Sequence, residues 1–441
     1  MINLPNDDNK CGWYKEANIF NTKSIKRLED RHNADYVVVG SGFCGVSAAR
    51  QLAKHKPNAH IILIDAQRVG QAAAGRNSGF VIDLPHKFAL ENPNLEFKQK
   101  ILKLNRLAIS NLDLLINTYN IECQWSAVGK YQGAVGSRGE DFLNHFEKLL
   151  KELNEEYKIV ERDSLAKVIG TNYYTRAIYT PGTYLVQPAA LIKGLAASLP
   201  ANVTLLEESP IYNINKKGDS WELSSSANNS ISTSNLLLTT GIFTREFGYL
   251  KNRMLPVMTF ASWTPPLSQK QLNAYKGEAD WGLTPADHAG TTLRMTLDNR
   301  LLIRNTYRYV PKYGASINSR FLHKVRINHL GALKKRYPEI PNLKLSDTWG
   351  GTYAISRNFT NFFGQFDDGA YASVCDNGVG IAWGTISGML LADMVVGSYS
   401  DELNYIKEVT GMPALNPPEP LSHLAAEFRM SLAKWRSGSE I

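Results

Sequence analysis

The segment from residue 36 to residue 65 constrains the fold more than any other part of the chain. A short apolar run rich in β-branched residues (36–39) is followed at once by the sequence GSGFCG, and a small-residue stretch typical of a helix comes next. A second apolar run ends at Asp65. This order predicts a parallel strand–turn–helix–strand unit, in which the glycine-rich turn and the helix start receive a pyrophosphate.

The three glycines of the turn have separate roles in this interpretation. Gly40 permits the tight turn out of the strand, Gly42 lets the backbone approach the pyrophosphate, and Gly45 lets the helix pack against the strand. Asp65 stands where an acid accepts hydrogen bonds from the ribose hydroxyls of adenosine, which disfavours a 2′-phosphorylated cofactor. Because all these parts occur in register, a dinucleotide site is preferred to a plain turn.

A second glycine-containing stretch follows at 71–80, with the sequence QAAAGRNSGF. Its side chains have almost no bulk, so the loop can lie flat against a large planar ligand. Backbone groups and the side chains of Asn77 or Ser78 could then hydrogen-bond the polar edges of that ligand. A flexible surface loop is the other interpretation of this stretch.

Composition excludes several classes of protein. Of the 441 residues, 43% are hydrophobic and 20% are charged, which is ordinary for globular proteins and excludes a mostly disordered chain. The net charge of +8 is modest and requires no nucleic acid, and the basic tract at 334–336 lacks interleaved aromatic residues. The four cysteines are far apart, without metal-ligand spacing, so we expect a reduced, cytoplasmic protein with no metal site. The apolar stretch 374–396 favours a buried strand–turn–helix over a transmembrane segment.

Taken together, the run 39–45, the acid Asp65 and the sequence AGRNSG at 74–79 resemble the FAD-dependent amine and amino-acid oxidoreductases. That group includes D-amino-acid oxidase, glycine oxidase, sarcosine oxidase and the glutamylputrescine-oxidising enzymes. Three later segments match in the expected order, at 187–211, at 236–241 (LLLTTG) and at 371–393, which contains NGVG. The resemblance covers most of residues 30–400 and is closest to a bacterial subgroup with RNSGF early and NGxG late.

The resemblance implies which residues hold FAD. Ile211 would contact the adenine through its backbone, Gly241 would approach the pyrophosphate, and residues 377–381 would offer N–H groups to the flavin pyrimidine ring, where negative charge develops on reduction. The cofactor-binding residues predicted in this way are Gly40, Ser41, Gly42, Phe43, Cys44, Gly45, Asp65, Ala66, Ala74, Gly75, Arg76, Asn77, Ser78, Gly79, Ile211, Thr240, Gly241, Asn377, Gly378, Val379, Gly380 and Ile381.

The chain departs from the family pattern in two respects. Val379 stands where many relatives carry a histidine, so any flavin or substrate contact of that histidine is missing. Relatives with a covalent flavin attach it to a Cys or His at set positions; no histidine lies near Gly79, and Cys375 falls at a strand end. We therefore expect FAD to be bound non-covalently.

The resemblance also implies a D-amino-acid oxidase-like fold of the α/β class with an antiparallel sheet. A discontinuous, Rossmann-like FAD-binding domain is predicted from 31–90, 185–245 and 345–400, and a mixed or antiparallel-sheet substrate domain from 91–184 and 246–344. Residues 1–30 would form an N-terminal arm, and 401–441 a helical tail. The strand-like runs 291–297 and 300–305 flank Asp298-Asn299 and predict a hairpin.

The candidate substrate residues are orienting groups, because flavin chemistry on amines needs little acid–base machinery. An amino-acid carboxylate needs a cation, ideally a bidentate arginine. Arg304, between apolar residues on a predicted roof strand, and Arg357 are the leading candidates, and Tyr353 could close the cavity. Arg294, Arg308, Tyr307 and Tyr309 are on the same predicted sheet, and Asp83 or His86 could bind an amine or form the turn before Pro85.

The sequence therefore predicts an FAD-dependent oxidoreductase that oxidises the C–N bond of a small amine or amino acid, passing a hydride equivalent to flavin N5 and leaving an imine that hydrolyses. The electron acceptor is O₂ or another compound. An NAD-dependent dehydrogenase would not need the NGVG segment. A flavin monooxygenase would carry a late Gly-Asp turn, but Gly218-Asp219 lies in a polar turn before Trp221. A non-catalytic flavoprotein is the remaining alternative.

Overall fold

The structure is a computed structural model that describes residues 2–6, 10–17, 25–84, 94–311 and 318–441, so the candidate His86 lies outside the described residues. The strands in the described part are β1 (Arg31–Asn33), β2 (Tyr36–Val39), β3 (Ile61–Ile64), β4 (Phe80–Val81), β5 (Lys130–Ala134), β6 (Lys158–Glu161), β7 (Arg176–Thr180), β8 (Tyr184–Leu185), β9 (Val203–Leu206), β10 (Asn213–Lys217), β11 (Ser220–Ser224), β12 (Ser230–Thr233), β13 (Asn235–Leu238), β14 (Leu255–Trp263), β15 (Trp281–Pro285), β16 (Thr292–Met295), β17 (Leu301–Tyr309), β18 (Asp347–Ile355), β19 (Phe362–Asp367) and β20 (Ala370–Val374). The helices are α1 (Gly12–Glu16), α2 (Phe43–His55), α3 (Leu95–Tyr119), α4 (Ser137–Leu153), α5 (Arg162–Ile169), α6 (Pro188–Ala197), α7 (Gln269–Tyr275), α8 (Ser319–Arg336), α9 (Gly380–Val395), α10 (Asp401–Val409) and α11 (Leu421–Ser437).

A six-stranded sheet carries the nucleotide-binding motif. Its order is β19-β20-β13-β2-β3-β9, and every strand is parallel to its neighbours except the edge strand β19. The inner strands are short apolar runs because both faces of a parallel sheet are covered. The carboxyl ends of five strands therefore meet at one edge, which is where open α/β sheets bind ligands. The predicted strand–turn–helix–strand unit is confirmed.

Glycines let helix α2 pack closely against helix α9 and against the turn that precedes α2. A Cβ atom on Gly388 of α9 would lie 2.0 Å from the carbonyl oxygen of Cys44, and one on Gly45 of α2 would lie 1.7 Å from that of Gly40. No side chain can stand at either position, and the second contact is the packing role that the motif predicts for its third glycine. The apolar stretch 374–396 forms the end of β20 and helix α9, as predicted.

An eight-stranded sheet lies over the carboxyl edge of the first sheet. Its order is β18-β14-β17-β16-β15-β5-β7-β6, and its pairs are antiparallel except β15 with β5. The predicted hairpin at 291–305 is confirmed as β16 and β17, joined by a turn in which Asn299 has φ +61°. Residues 347–355 pair along the edge of this second sheet, whereas the predicted FAD-binding segment 345–400 includes them. The division of the chain into domains stays a prediction.

Hydrogen bonds of Glu440 attach the last residues to the second sheet. Its Oε1 accepts a hydrogen bond from the Val135 backbone N–H (2.8 Å), and its carbonyl oxygen accepts from the Thr291 N–H (2.8 Å) and from Arg336 Nη2 (3.0 Å). The other carboxyl oxygen, Oε2, is buried and has no hydrogen-bond partner within the described part of the chain. Burial, reinforced by the nearby carboxylate of Asp287, raises the pKa of Glu440 to about 7.

We expect the free energy of unfolding of the wild-type protein to fall between about pH 4.5 and pH 7, and we predict that Glu440→Gln abolishes this fall. A carboxyl whose pKa is raised by folding binds its proton more tightly in the folded state, so the free energy of unfolding falls as pH rises through this range. The neutral amide does not titrate, and the difference should reach the order of 2 kcal/mol by pH 7.5. Denaturant unfolding at a series of pH values measures it. Glu339→Gln, at an exposed position, is the control and should follow wild type.

Candidate active site

A cavity of about 560 Å³ lies between the two large sheets. Its floor is the carboxyl edge of the six-stranded sheet, and its roof is the inner face of the eight-stranded sheet. The predicted site residues that line it are Gly40, Ser41, Gly42, Phe43, Cys44, Asp65, Ala66, Ala74, Arg76, Asn77, Ser78, Ile211, Thr240, Gly241, Gly378, Val379, Gly380, Ile381, Arg304 and Tyr353. The predicted residues outside the lining are Gly45, Gly75, Gly79, Asn377 and Arg357.

The carboxylate of Asp65 holds the glycine-rich turn in shape. Its Oδ2 accepts hydrogen bonds from the backbone N–H (2.6 Å) and the hydroxyl (2.8 Å) of Ser41, and its Oδ1 accepts from the N–H of Gln67 (2.9 Å). Burial raises the pKa of Asp65 above its ordinary value, although these hydrogen bonds act in the opposite direction. The acid therefore orders the turn from within and stands at the cavity wall.

The floor suits the pyrophosphate of a dinucleotide. A Cβ atom on Gly42 would have only the Cβ of Ala74 near it, at 4.0 Å, so a side chain here would project into the cavity. Gly241 has φ +54°. Apart from its chain neighbours, no described residue would come within 4 Å of a Cβ atom on it, so the backbone here is also open to the cavity. The first residues of both α2 and α9 line the cavity. Two helix N-termini thus offer N–H groups and partial positive charge to an anionic ligand, as FAD requires.

The loop after β3 is fixed by its own side chains. Asn77 Nδ2 donates to the Ala74 carbonyl (2.8 Å), and Asn77 Oδ1 accepts from the Gly79 N–H (2.9 Å). Arg76 is buried, and its guanidinium donates to the carbonyl oxygens of Gln71 (2.6 Å) and Gly350 (2.7 Å). This loop is therefore an ordered wall of the cavity, and the alternative of a flexible surface loop is wrong.

Asn377 lies behind the cavity lining, where its side chain connects two loops. Its Oδ1 accepts from the Ser356 N–H (2.9 Å), and its Nδ2 donates to the Phe359 carbonyl (3.0 Å) and to Asn361 Oδ1 (2.6 Å). Its side chain joins the turn before α9 to the loop after β18, while residues 378–381 face the cavity. The resemblance assigned N–H groups for the flavin to the whole of 377–381, but Asn377 is outside the lining, and sequence reasoning missed its role between the two loops.

Arg304 faces the cavity from the roof because of a β-bulge. Tyr307 pairs with Thr259 and Arg304 pairs with Ala261, so one residue of β17, Asn305, is extra between them. Alternation alone would put residues 304 and 307 on opposite faces of the sheet. The extra residue reverses the alternation of side chains along β17. Arg304 therefore lies on the cavity face beside Thr259 and Ala261, which also line the cavity.

The Arg304 guanidinium has spare hydrogen-bonding capacity. Among the described residues its hydrogen bond goes from Nη2 to Thr292 Oγ1 (2.9 Å). Burial lowers the pKa of Arg304, with the hydroxyls of Tyr353 and Tyr307 as the nearby groups that oppose this. Burial likewise raises the pKa of Tyr353, so its hydroxyl is a hydrogen-bond donor at neutral pH. Of the residues that the structure describes, the roof thus presents one cation without an ion-pair partner, Arg304, and one phenol, Tyr353, to the cavity.

The other candidate residues lie elsewhere. Arg357 is exposed, and Arg308 is exposed beside the ring of Phe321. Arg294 is buried against backbone carbonyls of the loop at 78–79. Asp83 is buried and paired with Arg106 (3.2 Å) outside the lining. Sequence reasoning missed Thr284 and Thr292 of the roof, whose positions depend on strand register, and residues 2–6 of the arm, which also line the cavity.

Comparison with known proteins identifies the class of site. The family model described as FAD-dependent oxidoreductase matches residues 35–394. The chain is 25% identical to the probable oxidoreductase OrdL of Haemophilus influenzae, over 99% of both chains. It is 19% identical to the gamma-glutamylputrescine oxidoreductase of Escherichia coli, over 84% of this chain and 85% of that one. The crystal structure of glycine oxidase from Geobacillus kaustophilus superposes with a TM-score of 0.70 at 17% identity, covering 84% of this chain and 96% of the other.

We predict that Gly42→Ala weakens FAD binding about tenfold or more while leaving the fold intact. The new methyl group contacts little protein but occupies the space in which the backbone must approach the pyrophosphate. Titration of the apoprotein with FAD, followed by flavin fluorescence, measures the dissociation constant. Gly331→Ala, in the open on α8, is the matched control and should bind FAD like wild type. Unchanged affinity in Gly42→Ala would contradict this position for the pyrophosphate.

Proposed function

From the premise that the chain belongs to the FAD-dependent oxidoreductase family, we propose that it oxidises the C–N bond of an amine or amino acid and that Arg304 binds the substrate carboxylate. The observation that carries the proposal is the uncompensated guanidinium on the roof of the cavity. Glycine oxidase and gamma-glutamylputrescine oxidoreductase are named for amino compounds, which supports a substrate of this class.

The floor residues would bind the cofactor, and the roof residues would bind the substrate. The backbone of the turn at 40–44 and of residues 378–381 would hold FAD, which when bound accepts a hydride equivalent from the carbon next to nitrogen. Arg304 would hold the carboxylate in a bidentate grip, which fixes the substrate in position and orientation. Tyr353 would donate a hydrogen bond from the same face. The roof sheet above them would shield the bound substrate from water, which strengthens each polar contact.

The local chemistry supports non-covalent FAD. Burial raises the pKa of the Cys44 thiol, which lines the cavity, to about 11. At neutral pH this group is therefore the protonated thiol and lacks the nucleophilicity of a thiolate. The N–H groups and helix ends of the floor supply the binding that a covalent link would otherwise give.

Non-covalent binding predicts that the flavin is released whole. Acid precipitation of the yellow protein should leave the flavin in the supernatant as FAD, identified by chromatography and mass spectrometry, with a colourless pellet. A pellet that keeps its flavin absorbance, and a peptide carrying the mass of the cofactor after digestion, would show a covalent bond instead.

The role of Arg304 is tested by anaerobic reduction of the bound flavin with a panel of D-amino acids, N-methyl amino acids and polyamines. Arg304→Leu should raise the dissociation constant of the best carboxylate-bearing substrate about 100-fold, because a charge-assisted bidentate contact is lost. Polyamines, which lack the carboxylate, should be unaffected. Arg357→Leu is the matched control, since this arginine is exposed and outside the cavity, and should change binding less than threefold.

Two outcomes would contradict the proposal. Arg304→Leu could keep the wild-type affinity for a carboxylate-bearing substrate, in which case another group binds the carboxylate. Alternatively, a flavin-loaded protein could be reduced by no amine or amino acid in the panel. The first outcome removes the role of Arg304 alone, and the second removes the C–N oxidation itself.

A further inference from the structure

The last long helix, α11, presents an apolar face to solvent. Leu421, Leu424, Phe428 and Trp435 are all exposed, with Phe428 at 69% and Trp435 at 79%. At 3.6 residues per turn these four side chains lie within an arc of about 60°. Helix α11 packs on the body with the opposite side, where Ser422 and Ser437 are buried. Large apolar residues gathered on one exposed arc mark an interaction surface.

The segment before α11 carries two further exposed apolar side chains. Met412 and Leu415 are both more than half exposed. Their segment is fastened to the body: the Asn416 N–H donates to the Asn252 carbonyl (2.7 Å), and Arg253 Nη1 donates to the Pro413 carbonyl (2.7 Å). The six exposed residues Met412, Leu415, Leu421, Leu424, Phe428 and Trp435, named here the tail face, are thus carried by a fixed part of the structure.

Basic residues border the tail face. Arg429 and Arg436 are exposed and lie about 60–80° further round α11 from Leu421. Lys251, also exposed, adjoins the segment that carries Met412. The acidic residue of the helix, Glu427, is on the opposite border and is half-buried. The exposed charges that border the apolar arc on α11 itself are therefore positive, whereas the exposed Glu419, which precedes the helix, accepts a hydrogen bond from the Tyr309 hydroxyl.

We propose that the tail face docks in the plane of an anionic lipid surface. Aromatic and leucine side chains on one arc with arginines at its border are the features that place a helix at the boundary between headgroups and acyl chains. The arginines would meet the negative headgroups. The docking is peripheral, because no helix of the described residues has the length and apolarity to cross a bilayer.

Charge favours lipid over a second copy of the chain. A twofold contact in which the two α11 helices run antiparallel would bring the cationic border of one copy against that of the other. Like charges facing each other across an interface oppose association. An anionic lipid surface satisfies the apolar arc and the cationic border at once.

The test uses the full-length flavoprotein and vesicles of phosphatidylcholine with one quarter phosphatidylglycerol, compared with phosphatidylcholine alone. We expect the protein to sediment with the anionic vesicles at low salt and about tenfold less with the neutral ones or at high salt. Among the tryptophans, Trp13, Trp221, Trp263, Trp281, Trp349 and Trp383 are buried and Trp125 is half-buried, so Trp435 is the exposed reporter. Its emission should shift to shorter wavelength and be quenched by brominated lipid.

Variants separate the two parts of the tail face. Phe428→Ser with Trp435→Ser should lower partitioning into anionic vesicles about tenfold or more, because the largest apolar side chains are gone. Arg429→Ser with Arg436→Ser should lower it on anionic vesicles and leave the residual binding to neutral vesicles unchanged. Leu114→Ser, at an equally exposed apolar position on α3, is the control and should bind like wild type. Each variant is checked for bound flavin and melting temperature.

Two results would overturn the proposal. Wild-type protein could stay in the supernatant with both kinds of vesicle while sedimentation analysis shows a dimer that Phe428→Ser with Trp435→Ser dissociates, which would assign the tail face to a second copy. Alternatively, the emission of Trp435 in wild-type protein could be indifferent to brominated anionic vesicles, which excludes lipid contact without relying on any variant.

Discussion

The buried guanidinium of Arg294 joins the eight-stranded sheet to the loop at 78–79 that walls the cavity and to Val186 after β8. Arg294 is on β16 of the eight-stranded sheet and has no solvent exposure. Its Nη1 donates to the carbonyl oxygen of Val186 (2.5 Å) and lies within hydrogen-bonding distance of those of Ser78 (3.4 Å) and Gly79 (3.3 Å). Burial lowers the pKa of Arg294 to about 10, which reflects the cost of placing a charge in the interior. A Cβ on Gly79 would lie 2.2 Å from that Nη1, so the closeness of loop and sheet requires glycine.

The N-terminal arm contacts the same arginine. The ring of Trp13 lies 5.2 Å from the Arg294 guanidinium and packs edge-on against Trp263, which in turn packs against Trp349. Trp349 Nε1 donates to the Arg76 carbonyl (3.0 Å), so a chain of contacts runs from the arm back to the cavity wall. The arm lies before residue 35, where the family match begins. A segment outside the family core therefore completes the wall of the cofactor site.

The floor of the site could be predicted from the sequence because it is made of backbone. Close approach of backbone to a ligand or to another helix requires glycine, and the requirement leaves a readable mark at Gly40, Gly42 and Gly45. The position of the N-terminal arm could not be predicted from local sequence in full. Trp13 and Tyr14 indicate that the segment packs on the body, but local sequence contains nothing that says residues 2–6 reach the cavity. Such contacts depend on the path of the whole chain.

The roof could not be predicted in the same way, because side-chain direction in a strand depends on register. Apolar neighbours suggest that Arg304 points inward, yet the same reasoning applies to other arginines of the sheet. Arg308 pairs with Met258 on the far side of the bulge and lies beside Phe321 of α8, whereas Arg304 pairs with Ala261 and faces the cavity. One extra residue, Asn305, separates the two outcomes, and no glycine marks it. The floor of the cavity is thus marked in the sequence by residue types, whereas the direction of the roof side chains is set by strand pairing.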